Sequence, residues 1–169
     1  VTSGRPAPTT NPACGICAVI DQIKSDRIKA AGFRDFIAEL NSCYVILGDQ
    51  QLYRGYCVLL AKLHATELYL MPADAARLLC DEMRLVADAI AAVVKPWKMN
   101  YECLGNSEPH VHWHLLPRYE TDEMRRGPVW LRPESERKVI LDENDRRALI
   151  GSIRSQVAAR FHDARIPPA

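Results

Sequence analysis

Gly105-Asn106-Ser107-Glu108-Pro109-His110-Val111-His112-Trp113-His114-Leu115-Leu116-Pro117-Arg118 holds three of the chain's five histidines within one pentapeptide. In an extended strand, residues i, i+2 and i+4 point to the same face. His110, His112 and His114 therefore line one side, about 6.5 Å apart along the chain. Val111, Trp113 and Leu115 point the other way, into a core. Each imidazole requires a hydrogen-bond partner, and three side by side waste apolar surface if packing is their only purpose. The triplet reads as a chemical site on a strand, and Gly105 to Pro109 as the turn leading into it.

Outward from this strand the chain alternates hairpins and helices. Met99, Tyr101 and Cys103 alternate with polar neighbours, which makes Lys98 to Leu104 a strand. Leu79, Met83, Val86, Ile90 and Val93 step by three and four, forming one apolar stripe on a helix from about Ala73 to Val94. Pro72 precedes that helix and Pro96 stops it. Cys43 to Leu47 and Gly55 to Leu63 read as two strands, joined by a loop that begins Gly48-Asp49-Gln50-Gln51. Residues 26 to 41 carry Ile28, Ala31, Phe33, Phe36, Ile37 and Leu40 at roughly helical spacing. This predicts a further helix, with Ser25 as its cap and Asn41-Ser42 as its end. A last helix fits Asp142 to about Phe161, with Asp142 as cap and Leu149, Ile150, Ile153, Val157 and Phe161 on one face. The order helix, hairpin, helix, hairpin, tail, helix favours an α+β fold with an antiparallel sheet.

The chain has 169 residues, with 22 Lys and Arg against 21 Asp and Glu and a net charge of +1. That length predicts a single domain with a real core. The near-neutral balance argues against a general nucleic-acid binder, which carries a marked basic excess. No apolar run approaches about 18 residues, so no membrane span is expected. Residues 1 to 12 are polar and Pro-rich, without the apolar core of a signal peptide, and read as a flexible arm. Of the six cysteines, Cys43, Cys57, Cys80 and Cys103 fall in apolar patterns, whereas Cys14 and Cys17 form a local pair. This is no disulfide framework, and a reducing cytoplasm is expected.

Two chemistries suit the histidines. They can hold a catalytic metal, because imidazole is a common zinc ligand. Alternatively, one imidazole is a nucleophile whose neighbours hold the anion it attacks. The flanks favour the second. Asn106, Ser107 and the turn's backbone N–H groups can reach phosphate oxygens, and Arg118 could act likewise. Attack on phosphorus depends mainly on positioning and charge stabilisation.

The motif resembles the signature of the histidine triad (HIT) superfamily, His-φ-His-φ-His-φ-φ with φ apolar, met here by Val111, Trp113, Leu115 and Leu116. The resemblance covers roughly residues 14 to 130. It implies a five-stranded antiparallel sheet with the long helix packed on one face, and a two-fold dimer. It also implies a nucleotidyl hydrolase or transferase acting at the α-phosphate of a dinucleoside polyphosphate or related nucleotide. His112 would be the nucleophile, forming a nucleotidyl-phosphohistidine, with its other ring nitrogen donating to a backbone carbonyl. His114 would contact phosphate and His110 would shape the pocket. Asn106 and Ser107 would bind phosphate or the leaving group, and Asn100 would lie near the phosphates. Asp49 is the candidate for the ribose hydroxyls, a carboxylate being able to accept from both; a plain turn aspartate is its other reading. Alternatives with the same nucleophile are a phosphoramidase and a phosphorylase. A nucleotide-binding sensor with little turnover, and a zinc enzyme using all three histidines, are further readings.

Cys14-Gly15-Ile16-Cys17 has zinc-knuckle spacing. Related members with such a pair use a histidine after the second strand and the first triad histidine. The resemblance thus makes Cys14, Cys17, His64 and His110 a candidate structural zinc site; two half-buried cysteines without metal are the alternative. No organic cofactor is expected. The sequence departs from the family in two places near the motif. Gly55-Tyr56 stands where many members have Gly-His, and Glu108 where many have an apolar residue, close to the expected phosphate path. Trp97, Trp113 and Trp130 read as packing residues, with Trp130 also able to cover the site or a partner chain. The expected division is an arm at 1–12, the HIT domain at 13–130 and a helical C-terminal extension at 131–169.

Overall fold

A computed structural model describes residues 11–28 and 35–166. The chain runs α1 (Gly15–Ile28), β1 (Phe36–Glu39), β2 (Cys43–Leu47), β3 (Cys57–Ala61), α2 (Ala73–Val94), β4 (Lys98–Glu102), β5 (His112–Arg118), a one-turn α3 (Glu134–Arg137) and α4 (Glu143–Ala158). Five strands form one sheet in the order β1-β2-β3-β5-β4, with every neighbouring pair antiparallel. The histidine strand β5 is therefore internal, hydrogen-bonded to β3 on one side and β4 on the other.

The two faces of the sheet do different work. Val45, Leu47, Leu59 and Leu115 face α2 and α4, where Leu79, Val86, Ile90, Leu149, Ile153 and Val157 complete the main core. The helix predicted from Ala73 to Val94 is present at those bounds, and Pro96 follows its left-handed cap residue Lys95. Asp142 caps α4, its side chain accepting from the Asp145 N–H at 2.9 Å. On the opposite face, Ile16, Ile20 and Ile23 of α1 cover Phe36, Tyr44 and Leu60. Further along that face, Tyr53, Tyr56, Leu116 and Val129 form a third apolar cluster. The face that carries His112 and His114 thus lies between two separate covers.

The segment from 26 to 41 differs from its predicted helix. Phe36–Glu39 is a strand, and Ser25 lies inside α1 rather than at a helix start. Residues 29–34, including Ala31 and Phe33, lie outside the described residues, as do residues 1–10 of the predicted arm. The reason is burial on both sides. Phe36 faces the cluster under α1, while Ile37 and Ala38 belong to the main core. A strand covered on both faces loses the alternation that marks a half-exposed one. Asn41-Ser42 instead turns the chain from β1 into β2. The buried Glu82 carboxylate of α2 holds that turn, accepting from the backbone N–H groups of Asn41 (2.9 Å) and Ser42 (3.0 Å).

Candidate functional site

His110 sits one residue before Val111, whose N–H donates to the Ala65 carbonyl and whose carbonyl accepts from Ala61. These bonds tie the entry of β5 to the chain that leaves β3. From there His112 and His114 project from β5 onto the second face, opposite Leu60 and Val58 of β3. His112 Nδ1–H donates to the His110 carbonyl at 2.6 Å. A carbonyl only accepts, so Nδ1 carries a proton and, in the neutral tautomer, Nε2 keeps its lone pair. His112 is buried, with 8% of its surface exposed.

The next ring, His114, meets that of His112 edge-on at 4.7 Å between centroids. Its Nδ1 lies 2.7 Å from the Tyr56 hydroxyl. Burial, aided by the neighbouring His112, pulls its pKa down to about 4, so the ring is uncharged at neutral pH. Trp130 stands edge-on to His114 at 5.3 Å, its indole N–H held by the Glu102 carboxylate. Glu102 is the residue of β4 directly across from His114. The Arg137 guanidinium lies over the Trp130 ring, 4.7 Å from its centroid, and donates to Gln50 at 2.7 Å. Residues 129–137 are thereby fastened to the β2–β3 loop and form a wall beside His114. Tyr56, Glu102 and Arg137 were assigned no role from the sequence. The Gly55-Tyr56 departure was the one signal available; the other two are brought in by strand register and chain return.

The remaining predicted residues divide. Asn106 and Ser107 are exposed on the loop that follows Gly105, where φ is +70° and glycine is favoured. Asn100 lies on the histidine face of β4, its Oδ1 accepting from Arg118 Nη1 at 3.0 Å. Arg118 itself is no phosphate ligand in this fold. It is fully buried and donates to Asp122, Asn100 and the carbonyls of Gly127 and Met124, holding the loop after β5 in shape. Glu108 accepts from the Gly15 N–H at the start of α1 (3.2 Å), where the helix dipole favours a carboxylate. Asp49 is exposed in the β2–β3 loop, 3.5 Å from Lys138 Nζ.

Cys14, Cys17, His64 and His110 bring four ligand atoms within 4.8 Å of one another, and they are the one such group among the described residues. This separates the triad: His110 turns its ring to the cysteines, so the three histidines do not converge on one ion. His110 Nε2–H donates to the Ala61 carbonyl at 2.8 Å, leaving Nδ1 as the free ligand atom. From that Nδ1, Cys14 Sγ stands at 3.4 Å, Cys17 Sγ at 3.6 Å and His64 Nδ1 at 3.2 Å. Cys17 Sγ and His64 Nδ1 are 3.5 Å apart. At ordinary zinc–ligand lengths, a tetrahedron has edges of about 3.6 Å for S to N and about 3.3 Å for N to N. The four residues fit a metal ion in donor type and in spacing. Burial, with the Cys14 thiol beside it, holds the Cys17 thiol above its usual value, so a cation is what would draw its proton off.

The fourth strand in the order of the sheet, β5, thus carries His112 and His114, with His110 just before it. The HIT domain family model matches residues 33–121, more than half of the chain. The chain belongs to the HIT domain family. Solved HIT structures share the fold. A histidine triad protein from Sinorhizobium meliloti 1021 is 24% identical, with a TM-score of 0.63 over 78% of this chain and 93% of that one. One from Marinobacter aquaeolei VT8 is 22% identical, with a TM-score of 0.64 over 79% and 94%. A Zn-bound histidine triad family protein from Mycobacterium smegmatis is 18% identical, with a TM-score of 0.61 over 88% and 98%. No curated protein sequence matches this chain. Its HIT domain keeps every apolar position of the motif, and among the described residues no helix is long and apolar enough to cross a membrane.

Proposed function

We propose that this HIT protein is a nucleotidyl hydrolase or transferase acting at the α-phosphate of a dinucleoside polyphosphate, with His112 as nucleophile. The observation that carries this reading is the 2.6 Å bond from His112 Nδ1–H to the His110 carbonyl, which in the neutral ring leaves the lone pair on Nε2. Nε2 forms a bond to the α-phosphorus, and the bond from phosphorus to the bridging oxygen breaks. Its electron pair departs with the rest of the polyphosphate. The carbonyl of His110 stabilises the cationic ring, and a neutral imidazole is not repelled by the anion as a carboxylate would be. Water then bonds to phosphorus, the P–N pair returns to His112, and the water's proton passes to solvent. His114, Asn106 and Ser107 are the donors proposed for phosphate oxygens, with Asn100 near them and Asp49 for the ribose.

We also propose that Cys14, Cys17, His64 and His110 hold a structural zinc ion. The closed set of four protein ligands leaves no position for a reacting water. Six free cysteines suit a reducing compartment, which we take to be the cytoplasm, and a homodimer is the proposed assembly.

The test of the main reading is covalent trapping. Protein incubated with α-labelled diadenosine tetraphosphate and quenched in base should retain label that acid releases, and the His112→Ala variant should retain none. Turnover without any such adduct, or an adduct that persists in His112→Ala, overturns it.

A further inference from the structure

The Tyr56 hydroxyl is the sole polar neighbour of His114 Nδ1 among the described residues, at 2.7 Å. The loop is shaped around this ring. Gly48 lies so close that any side chain there would overlap the Tyr56 ring, and the Gly48 N–H is bonded to the Tyr56 carbonyl at 2.9 Å. Gln51 donates to the same carbonyl at 3.0 Å. Tyr56 is buried and stacks on His114 at 6.0 Å between centroids.

The direction of the hydrogen bond follows from a count of partners. A neutral imidazole carries one proton. If that proton were on Nδ1, it would donate to the Tyr56 oxygen and leave the buried hydroxyl proton without an acceptor. If it is on Nε2, the hydroxyl donates to Nδ1 and both groups are satisfied. Resting on the function proposed above, we infer that Tyr56 is a positioning residue that fixes His114 as a neutral Nε2–H donor, so that the site favours phosphoanhydrides over phosphoramidates. The groups around His114 agree with this. His112, Tyr56 and Trp130 pack against it, and the nearby Glu102 carboxylate is taken up by the Trp130 indole. Burial keeps both partners in the required state, lowering the His114 pKa and raising that of the Tyr56 hydroxyl.

The consequence concerns the leaving group. When His112 Nε2 bonds to phosphorus and a P–O bond breaks, the polyphosphate departs as a stable anion and needs no proton. When a P–N bond breaks, the electron pair goes to an amine nitrogen, which must gain a proton to depart. An imidazolium backed by a second imidazole can supply that proton. A neutral imidazole backed by a phenol, whose own proton is held by burial, supplies only a hydrogen bond.

The experiment combines a tautomer measurement with a substrate ratio. In protein labelled with ¹⁵N-histidine at neutral pH, His114 should show a protonated Nε2 and a bare Nδ1. Tyr56→Phe, which removes a single oxygen, should shift its Nδ1 signal and mix the tautomers. Wild-type kcat/KM should favour diadenosine tetraphosphate over adenosine 5′-phosphoramidate. Tyr56→His should shift that ratio toward the amide by about tenfold or more, a fraction of what general acid catalysis contributes. A proton on Nδ1 in the wild type, an unaltered tautomer in Tyr56→Phe, or a ratio unmoved in Tyr56→His overturns the inference. The tautomer is read without turnover, so it stands or falls separately from the trapping of a His112 adduct.

Discussion

His110 serves two neighbours with different atoms. Its backbone carbonyl accepts the Nδ1–H of His112 at 2.6 Å, while its ring turns to Cys14, Cys17 and His64. The ring is held on its far side by the Ala61 carbonyl, and burial lowers its pKa. The geometry of the candidate nucleophile is thus fastened to the cysteine cluster through one residue.

The first expectation follows for His112. Replacing it by alanine should abolish turnover, while nucleotide affinity should stay within about tenfold, or about 1.4 kcal/mol. Steady-state rates and calorimetric titration with a non-hydrolysable dinucleotide measure the two separately. Full activity in the variant rejects the assignment.

Metal content is the second. Purified protein should carry about one zinc per chain, as a closed four-ligand site does, and Cys17→Ser should lose it. Thermal unfolding of wild-type protein should move to lower temperature after chelation, because α1 and the His110 segment are joined through these ligands. Elemental analysis finding far less than one zinc per chain removes the claim.

A third concerns pH. An unfolded histidine takes up its proton near pH 6.5, whereas His114 in the fold does so near pH 4. Between these values the unfolded chain binds more protons, so stability rises with pH across the window. The contribution is full above about pH 6.5 and falls as pH drops toward about 4. Urea unfolding at pH 7.5 and 5.0 should show this loss, and His114→Gln should shrink the difference. An identical pH dependence in that variant counts against a buried neutral His114.

Arg118 gives a fourth. Its guanidinium is fully enclosed by Asp122, Asn100 and two backbone carbonyls. Arg118→Met removes the partner of Asp122 Oδ2, leaving that carboxylate only Arg132 and the Met124 N–H on its other oxygen, and should cost about 3–5 kcal/mol in a chemical unfolding experiment. Arg118→Lys should restore little, since an ammonium lacks the planar fork. A stable Arg118→Met protein with weakened nucleotide binding would instead favour a ligand role.

Much of the site is local and so was legible early. The alternation of His112 to Leu116 needs no tertiary information, because a strand's side chains alternate wherever it lies, whereas His110 stands just outside β5. The same holds for α2, whose stripe from Leu79 to Val93 appears at the predicted bounds, and for the Asp142 cap. The segment from Phe36 to Glu39 reads as helix in sequence but is a strand, because both of its faces are covered, which erases the period. The resemblance puts Glu108 near phosphate, and its place after Pro117 makes Arg118 a candidate as well. Their partners, Gly15 and Asp122 with Asn100, are chosen by the route of α1 and by the turn after β5.

The order of residues alone determined that His112 and His114 project together, that a long amphipathic helix follows two strands, and that Cys14 and Cys17 come as a pair. These are short-range consequences of strand and helix period. Only the folded chain decided that His110 parts from its two fellows to face the cysteines, that a phenol rather than a second imidazole backs His114, and that Trp130 and Arg137 return to wall it. Those contacts join residues dozens of positions apart, and their geometry is set by sheet register and by the packing of α1 and the C-terminal segment on one face.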